Sequence, residues 1–148
     1  MLACCGARRW AVTMAEMRPF SSVEELRAAA DRVWVKMVEA DWLEAFACHP
    51  RIGEGRQAPE QAAAWSGQEQ AGVNSAEEET LRELADGNAR YEQRFGFTYI
   101  VCATGKSAEE MLRILRRRLG NVREAELREA AEQQRQITQI RIGKWLSA

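Results

Sequence analysis

Histidine is almost absent from this 148-residue sequence, which contains only one, His49. Imidazole is the one side chain whose unperturbed pKa lies near neutrality, so any imidazole-based proton transfer must use this residue. A lone histidine is nevertheless more often structural than catalytic. The four cysteines form no C-x-x-C pair, and the sequence has no H-E-x-x-H spacing. The ligand patterns of common zinc sites are therefore missing.

Strong net charge and long apolar runs are also missing. A formal net charge of -1 gives no electrostatic reason to expect nucleic-acid or membrane binding. No apolar run approaches the roughly 20 residues that span a bilayer. The first ten residues lack the pattern of a signal peptide, and the C-terminus carries no targeting tripeptide. We expect a cytoplasmic protein with reduced, mostly buried cysteines. These are Cys4, Cys5, Cys48 and Cys102.

Helix signals dominate the rest of the chain. Ser21 and Ser22 open overlapping capping boxes with glutamates three residues later, and Ser75 and Ser107 begin similar motifs. Apolar residues then recur at helical spacing, and Gly96 is a typical helix stop. The predicted helices begin after these caps, with one more from about Asp41 to Cys48 and another from about Arg123 to Leu146.

Residues 97–103 are the exception, because this β-prone apolar stretch is too short for a good helix. No second strand candidate exists, so a sheet is not expected. The predicted fold class is an all-α, single-domain helical bundle with one short extended segment. That segment is either a buried connector or a place where backbone amides bind a ligand.

Three further features carry possible chemistry. Ser66 could cap a short helix with Glu69, or Glu69 and Gln70 could point at His49, where a carboxylate would raise the pKa of the imidazole. Arg141 shares a helix face with apolar residues, so it needs either an ion-pair partner or an anionic substrate. The arginines of residues 113–118 are predicted to form a solvated helix face. Residues 104–107 superficially resemble a phosphate loop but lack its upstream glycine.

Taken together, the motifs resemble the OHCU decarboxylase (2-oxo-4-hydroxy-4-carboxy-5-ureidoimidazoline decarboxylase) family of uric acid breakdown. The matching segments are His49-Pro50-Arg51-Ile52-Gly53-Glu54, Ser66-x-x-Glu69-Gln70, Phe95-Gly96-Phe97 leading to Ile100-Val101-Cys102-Ala103, and Ile137-Thr138-x-x-Arg141. The resemblance implies one domain over residues 1–148, lacking a helix that usually precedes Cys4 in the family. It also implies a homodimer without metal or organic cofactor, and decarboxylation of the ureidoimidazoline to S-allantoin.

The resemblance also implies roles for individual residues. His49 matches the catalytic histidine, with Glu69 acting alongside it. The implied substrate-binding residues are Pro50, Ser66, Gln70, Val101, Ala103 and Arg141, with Val101 and Ala103 binding through backbone groups.

Two rival functions remain open at this point. The chain could be a non-catalytic helical interaction module, or another cofactor-free lyase or hydrolase acting on a related ureido compound. Convergence of His49, Glu69 and Arg141 on one pocket would favour an enzyme over the interaction module.

Overall fold

The computed structural model describes residues 1–52, 65, 68–69 and 78–148. These ranges contain seven helices of four or more residues and no strand, which confirms the predicted all-α class. The helices are α1 Leu2–Cys5, α2 Arg8–Glu16, α3 Val23–Val35, α4 Glu39–Ala47, α5 Glu78–Phe95, α6 Ala108–Arg118 and α7 Arg123–Ser147. None of the helices in the described ranges has the length and apolarity needed to cross a membrane.

The predicted serine caps begin α3 and α6. Ser22 Oγ accepts from the Glu25 N–H at 3.1 Å, and Ser107 Oγ accepts from the Glu110 N–H at the same distance. Each bond satisfies one of the otherwise unpaired donors of a first helical turn. α4 begins at Glu39, two residues earlier than predicted, because the Asp41 carboxylate accepts from the backbone N–H that precedes the helix. The predicted start at Ser75 lies outside the described residues.

The long C-terminal helix α7 lies at the centre of the core, where it packs against α1, α3 and α4. Indole hydrogen bonds tie the helices together: Trp34 Nε1 donates to the Ala131 carbonyl at 2.9 Å, and Trp10 Nε1 donates to the Ala30 carbonyl at 3.1 Å. α7 also carries polar side chains into the interior, including Gln134, Thr138 and Arg141. Buried polar groups need partners, so this helix is where a functional site is expected.

The extended segment, residues 97–103, follows Gly96, whose φ of 79° ends α5 with a left-handed residue. It is nearly all buried and joins no ladder, as predicted. Side chains take the place of a neighbouring strand. Arg118 Nη1 donates to the Ile100 carbonyl at 2.6 Å, Gln133 Oε1 accepts from the Cys102 N–H at 2.8 Å, and Lys106 Nζ donates to the Cys102 carbonyl at 2.7 Å.

Arg118 corrects the prediction that the arginines of residues 113–118 are solvated. The other three are exposed, but the side chain of Arg118 is 0% exposed. It follows Met111 and Leu115 at helical spacing, so it shares their inward face. Its Nε donates to the buried Glu126 carboxylate at 2.8 Å, and its guanidinium lies 4.9 Å from the centre of the Tyr99 ring. The buried ion pair with Glu126 thus fixes the arginine that binds the backbone of the extended segment.

Candidate active site

His49 lies just beyond the end of α4, in a turn held by two helices. Its N–H donates to the Phe46 carbonyl at 3.1 Å, and Pro50 follows, which agrees with a helix end at this point. Arg51 then forms two 2.7 Å hydrogen bonds with the Glu92 carboxylate of α5. The backbone around the histidine is therefore anchored on both sides.

The His49 imidazole is bound by a residue that the sequence analysis did not identify. Nε2 of the ring lies 2.7 Å from Oε1 of Gln134, a fully buried residue in the middle of α7. The distance is that of a strong hydrogen bond. α7 thus orients the only imidazole of the chain.

The pKa of His49 is lowered to about 3. Burial of the ring is the largest cause, the positive charge of Arg141 adds to it, and the Gln134 hydrogen bond opposes both. The expectation that the Glu69 carboxylate would raise this pKa is wrong: the pKa is lowered, and the Glu69 carboxylate is bound by Arg141 and Lys144 instead. His49 is a neutral imidazole at physiological pH.

Glu69 and Arg141 form a buried ion pair, one of the two interpretations open for the arginine. Arg141 Nε and Nη2 each lie 3.1 Å from a different oxygen of the carboxylate. Their side chains are 4% and 8% exposed, respectively. Lys144, one turn further along α7, places Nζ 3.5 Å from Glu69 Oε1. Among the residues that the structure describes, one carboxylate therefore faces two cations.

A cleft brings most of the predicted residues together. It encloses about 310 Å³ of non-protein space, counting its open mouth, and its inner part is narrow. The lining residues are His49, Pro50, Ile52, Glu69, Tyr99, Ile100, Val101, Ala103 and Ile137. Arg141 is not among them; it reaches the cleft through its ion pair with Glu69, and it lines a neighbouring, mostly apolar cavity with Ala3 and Cys48. Ser66 and Gln70 lie outside the described residues.

Part of the extended segment borders this cleft. Val101 and Ala103 both line it, and within the described part of the chain neither N–H donates a hydrogen bond. The N–H between them, that of Cys102, is already held by Gln133. Because buried N–H groups are nearly always satisfied, these two donors are suited to oxygen atoms of a bound ligand.

Comparisons with known proteins agree with the motifs. The model of the OHCU decarboxylase family matches residues 1–143. The uric acid degradation bifunctional protein TTL of Arabidopsis thaliana is 36% identical; the match covers 97% of this chain and 45% of that protein. The chain therefore spans less than half of this relative. A 2-oxo-4-hydroxy-4-carboxy-5-ureidoimidazoline decarboxylase of Haloferax volcanii is 26% identical, with 88% and 77% covered.

Solved structures show the same architecture. The crystal structure of an OHCU decarboxylase in the presence of (S)-allantoin matches with a TM-score of 0.86 at 34% identity, over 99% of this chain and 96% of that one. The crystal structure of an (S)-allantoin synthase matches with a TM-score of 0.68 at 19% identity, over 91% and 43% of the two chains. The second likeness shows the fold alone.

Proposed function

Because this chain belongs to the OHCU decarboxylase family, we propose that it converts 2-oxo-4-hydroxy-4-carboxy-5-ureidoimidazoline to (S)-allantoin and CO₂, the final step from urate to allantoin. The observation that carries the proposal is one cleft that combines a neutral imidazole with two backbone N–H groups that have no acceptor among the described residues, beside the cations of Arg141 and Lys144. A small, anionic, oxygen-rich substrate fits this combination of groups.

The reaction needs no external electron sink. In this substrate the carboxylate is bonded to a ring carbon next to a C=N group. When the bond to the carboxylate breaks, CO₂ leaves and the electron pair of that bond forms a C=C bond within the ring. The former C=N electrons move to nitrogen, which takes a proton from solvent water. The hydroxyl then becomes a carbonyl as it loses its proton, and the carbon that bears the ureido arm gains one. The side of that second proton delivery decides the chirality of allantoin.

We assign the proton transfers to His49. A neutral imidazole has no proton to spare on its acceptor nitrogen, so it acts first as a base and takes a proton from the substrate hydroxyl. The imidazolium formed in this way is a strong acid in its desolvated site, because burial favours the neutral ring. It returns the proton to one face of the ring carbon, which produces only the S enantiomer.

Arg141, Lys144 and Glu69 supply charge for binding. The Arg141 and Lys144 cations would attract the negatively charged carboxylate of the substrate. Charge complementarity of this kind orients an anion, and an oriented carboxylate can be held out of the ring plane, where its bond breaks most easily. Glu69 also remains the predicted partner of His49 in the cleft.

Polar contacts to the ring and the ureido arm complete the proposed site. The N–H groups of Val101 and Ala103 would donate to substrate oxygens, and Pro50 would pack against the ring. Ser66 and Gln70 remain the predicted anchors of the ureido arm, on the strength of the family motif. No metal or organic cofactor has a part in this scheme.

A stereochemical assay tests the proposal. Urate is oxidised freshly in the cuvette, and the chirality of the allantoin is followed by circular dichroism with and without the protein. We expect rapid accumulation of (S)-allantoin with the protein and a slow racemic product without it. Racemic product at the uncatalysed rate would favour the rival interaction module, and a different chiral ureido product would favour another lyase or hydrolase.

We also propose a cytoplasmic homodimer. All four cysteines are free thiols, which suits a reducing compartment. Large apolar side chains remain exposed near both ends of the described chain, namely Leu2, Trp145 and Leu146. Light scattering after size exclusion should give twice the 16.8 kDa chain mass; a single-chain mass at micromolar concentration would contradict the dimer.

A further inference from the structure

Gln134 is held in one orientation by groups other than His49. Its Nε2 lies 3.4 Å from the Cys5 carbonyl of α1 and 3.2 Å from Oγ1 of Thr138. A carbonyl oxygen can only accept, so the amide NH₂ must face Cys5. The Thr138 hydroxyl donates its own proton to the backbone carbonyl of Gln134 at 2.9 Å, which leaves Oγ1 to accept from the side-chain amide.

The opposite end of the amide therefore faces the imidazole as an acceptor. Oε1 of Gln134 lies 2.7 Å from Nε2 of His49, and two acceptors cannot share a hydrogen bond. Nε2 must carry a proton. In a neutral ring the other nitrogen, Nδ1, then holds the lone pair, and in the described part of the chain Nδ1 has no hydrogen-bond partner.

We propose that Gln134 is a positioning residue that fixes His49 as the Nε2–H tautomer, so that Nδ1 is the nitrogen that takes up and returns the substrate proton. The tautomer follows from the hydrogen-bond chain alone; the use of Nδ1 in turnover rests on the proposed function. Without an acceptor at Gln134, either nitrogen could hold the proton, and the ring would also lose the bond that fixes its plane.

α7 carries Gln134 together with other residues that contact different parts of the site. Gln134 and Arg141 are seven residues apart and Thr138 lies between them, so all three share the buried face. Gln133, the preceding residue, holds the Cys102 N–H of the extended segment. Rotation or displacement of α7 would therefore disturb the imidazole, the ion pair and the backbone donors together.

The single histidine makes the tautomer directly measurable. Protein labelled with ¹⁵N-histidine contains one imidazole, so a long-range ¹H–¹⁵N correlation spectrum shows one ring without any assignment problem. At neutral pH we expect a pyrrole-type signal for Nε2 and a pyridine-type signal for Nδ1. The reversed pattern, or averaged signals from both tautomers, in the unmodified protein would overturn the proposal without reference to activity.

Two substitutions separate the acceptor from the rest of the amide. Gln134→Glu keeps an acceptor towards His49 but loses the donors to Cys5 and Thr138, whereas Gln134→Met loses both. We expect Nε2 to stay protonated in Gln134→Glu and the two tautomers to mix in Gln134→Met. Gln136→Met is the matched control on the exposed side of the same helix, and it should leave the spectrum unchanged.

Kinetics complete the test. For Gln134→Met we expect a kcat reduced by up to about 100-fold with KM little changed, because a misplaced base slows the chemical step more than binding. An unchanged kcat together with mixed tautomers would overturn the use of Nδ1 in turnover. Should the unmodified protein make no (S)-allantoin, the proposed function fails, while the tautomer result stands or falls on its own spectrum.

Discussion

Replacement of His49 by glutamine should lower kcat for (S)-allantoin formation by about 10²- to 10⁴-fold, the usual contribution of a general acid–base group. Glutamine can still occupy the turn after α4, and it can donate a hydrogen bond to Gln134, but it cannot accept and return a proton. The expected loss is therefore in kcat, with a smaller change in KM. Initial rates followed by circular dichroism measure both.

Cys48→Ala is the matched control for this substitution. Cys48 precedes the histidine and is only partly covered by its neighbours, but this partial burial raises the pKa of its thiol, which disfavours a reactive thiolate. We expect normal turnover from Cys48→Ala. Near-native turnover by a folded His49→Gln protein would remove His49 from the catalytic role.

The second large effect is on stability: Arg118→Met should lower the free energy of unfolding by about 3–5 kcal/mol. The substitution leaves the Glu126 carboxylate without its cation in a position where both side chains are 0% exposed. The Ile100 carbonyl also loses its hydrogen bond, so the extended segment loosens. Urea unfolding monitored by tryptophan fluorescence measures the change.

Two further variants separate charge burial from loss of packing. Arg117→Met removes a neighbouring arginine whose side chain is 59% exposed, so its effect should stay within about 1 kcal/mol. The double variant Arg118→Met/Glu126→Gln removes both charges, and it should recover much of the lost stability. Equal destabilisation by Arg117→Met and Arg118→Met would show that burial of the ion pair is not the cause.

Much of the fold could be predicted from local signals. Ser22 and Ser107 mark helix starts. Each accepts a hydrogen bond from the N–H three residues later, and such a local interaction can be predicted from the sequence. The extended segment can also be predicted, because its residues are β-prone and the sequence offers no second strand to pair with it. The proposed site residues follow from a family motif, since spacing alone does not show that Glu69 and Arg141, 72 positions apart, form a pair.

The residues that escaped prediction are buried polar side chains on helices. The sequence places Arg118 in a cluster of arginines, which predicts a solvated side chain. It points inward because it lies on the same helix face as the buried Met111 and Leu115. The same reasoning applies to Gln134, which lies on the same buried face of α7 as Thr138 and Arg141. A polar residue on a buried stripe must have a partner, but which partner depends on tertiary contacts that a sequence pattern does not contain.

We propose that His49 is neutral in the resting site and acts first as a base. A pH titration of its ring, followed by NMR in the labelled protein, tests this most directly because no other imidazole is present. We expect a midpoint far below the ordinary value of 6.5, towards about 3, with the ring uncharged at neutral pH. A midpoint at or above 6.5 in the folded protein would contradict it.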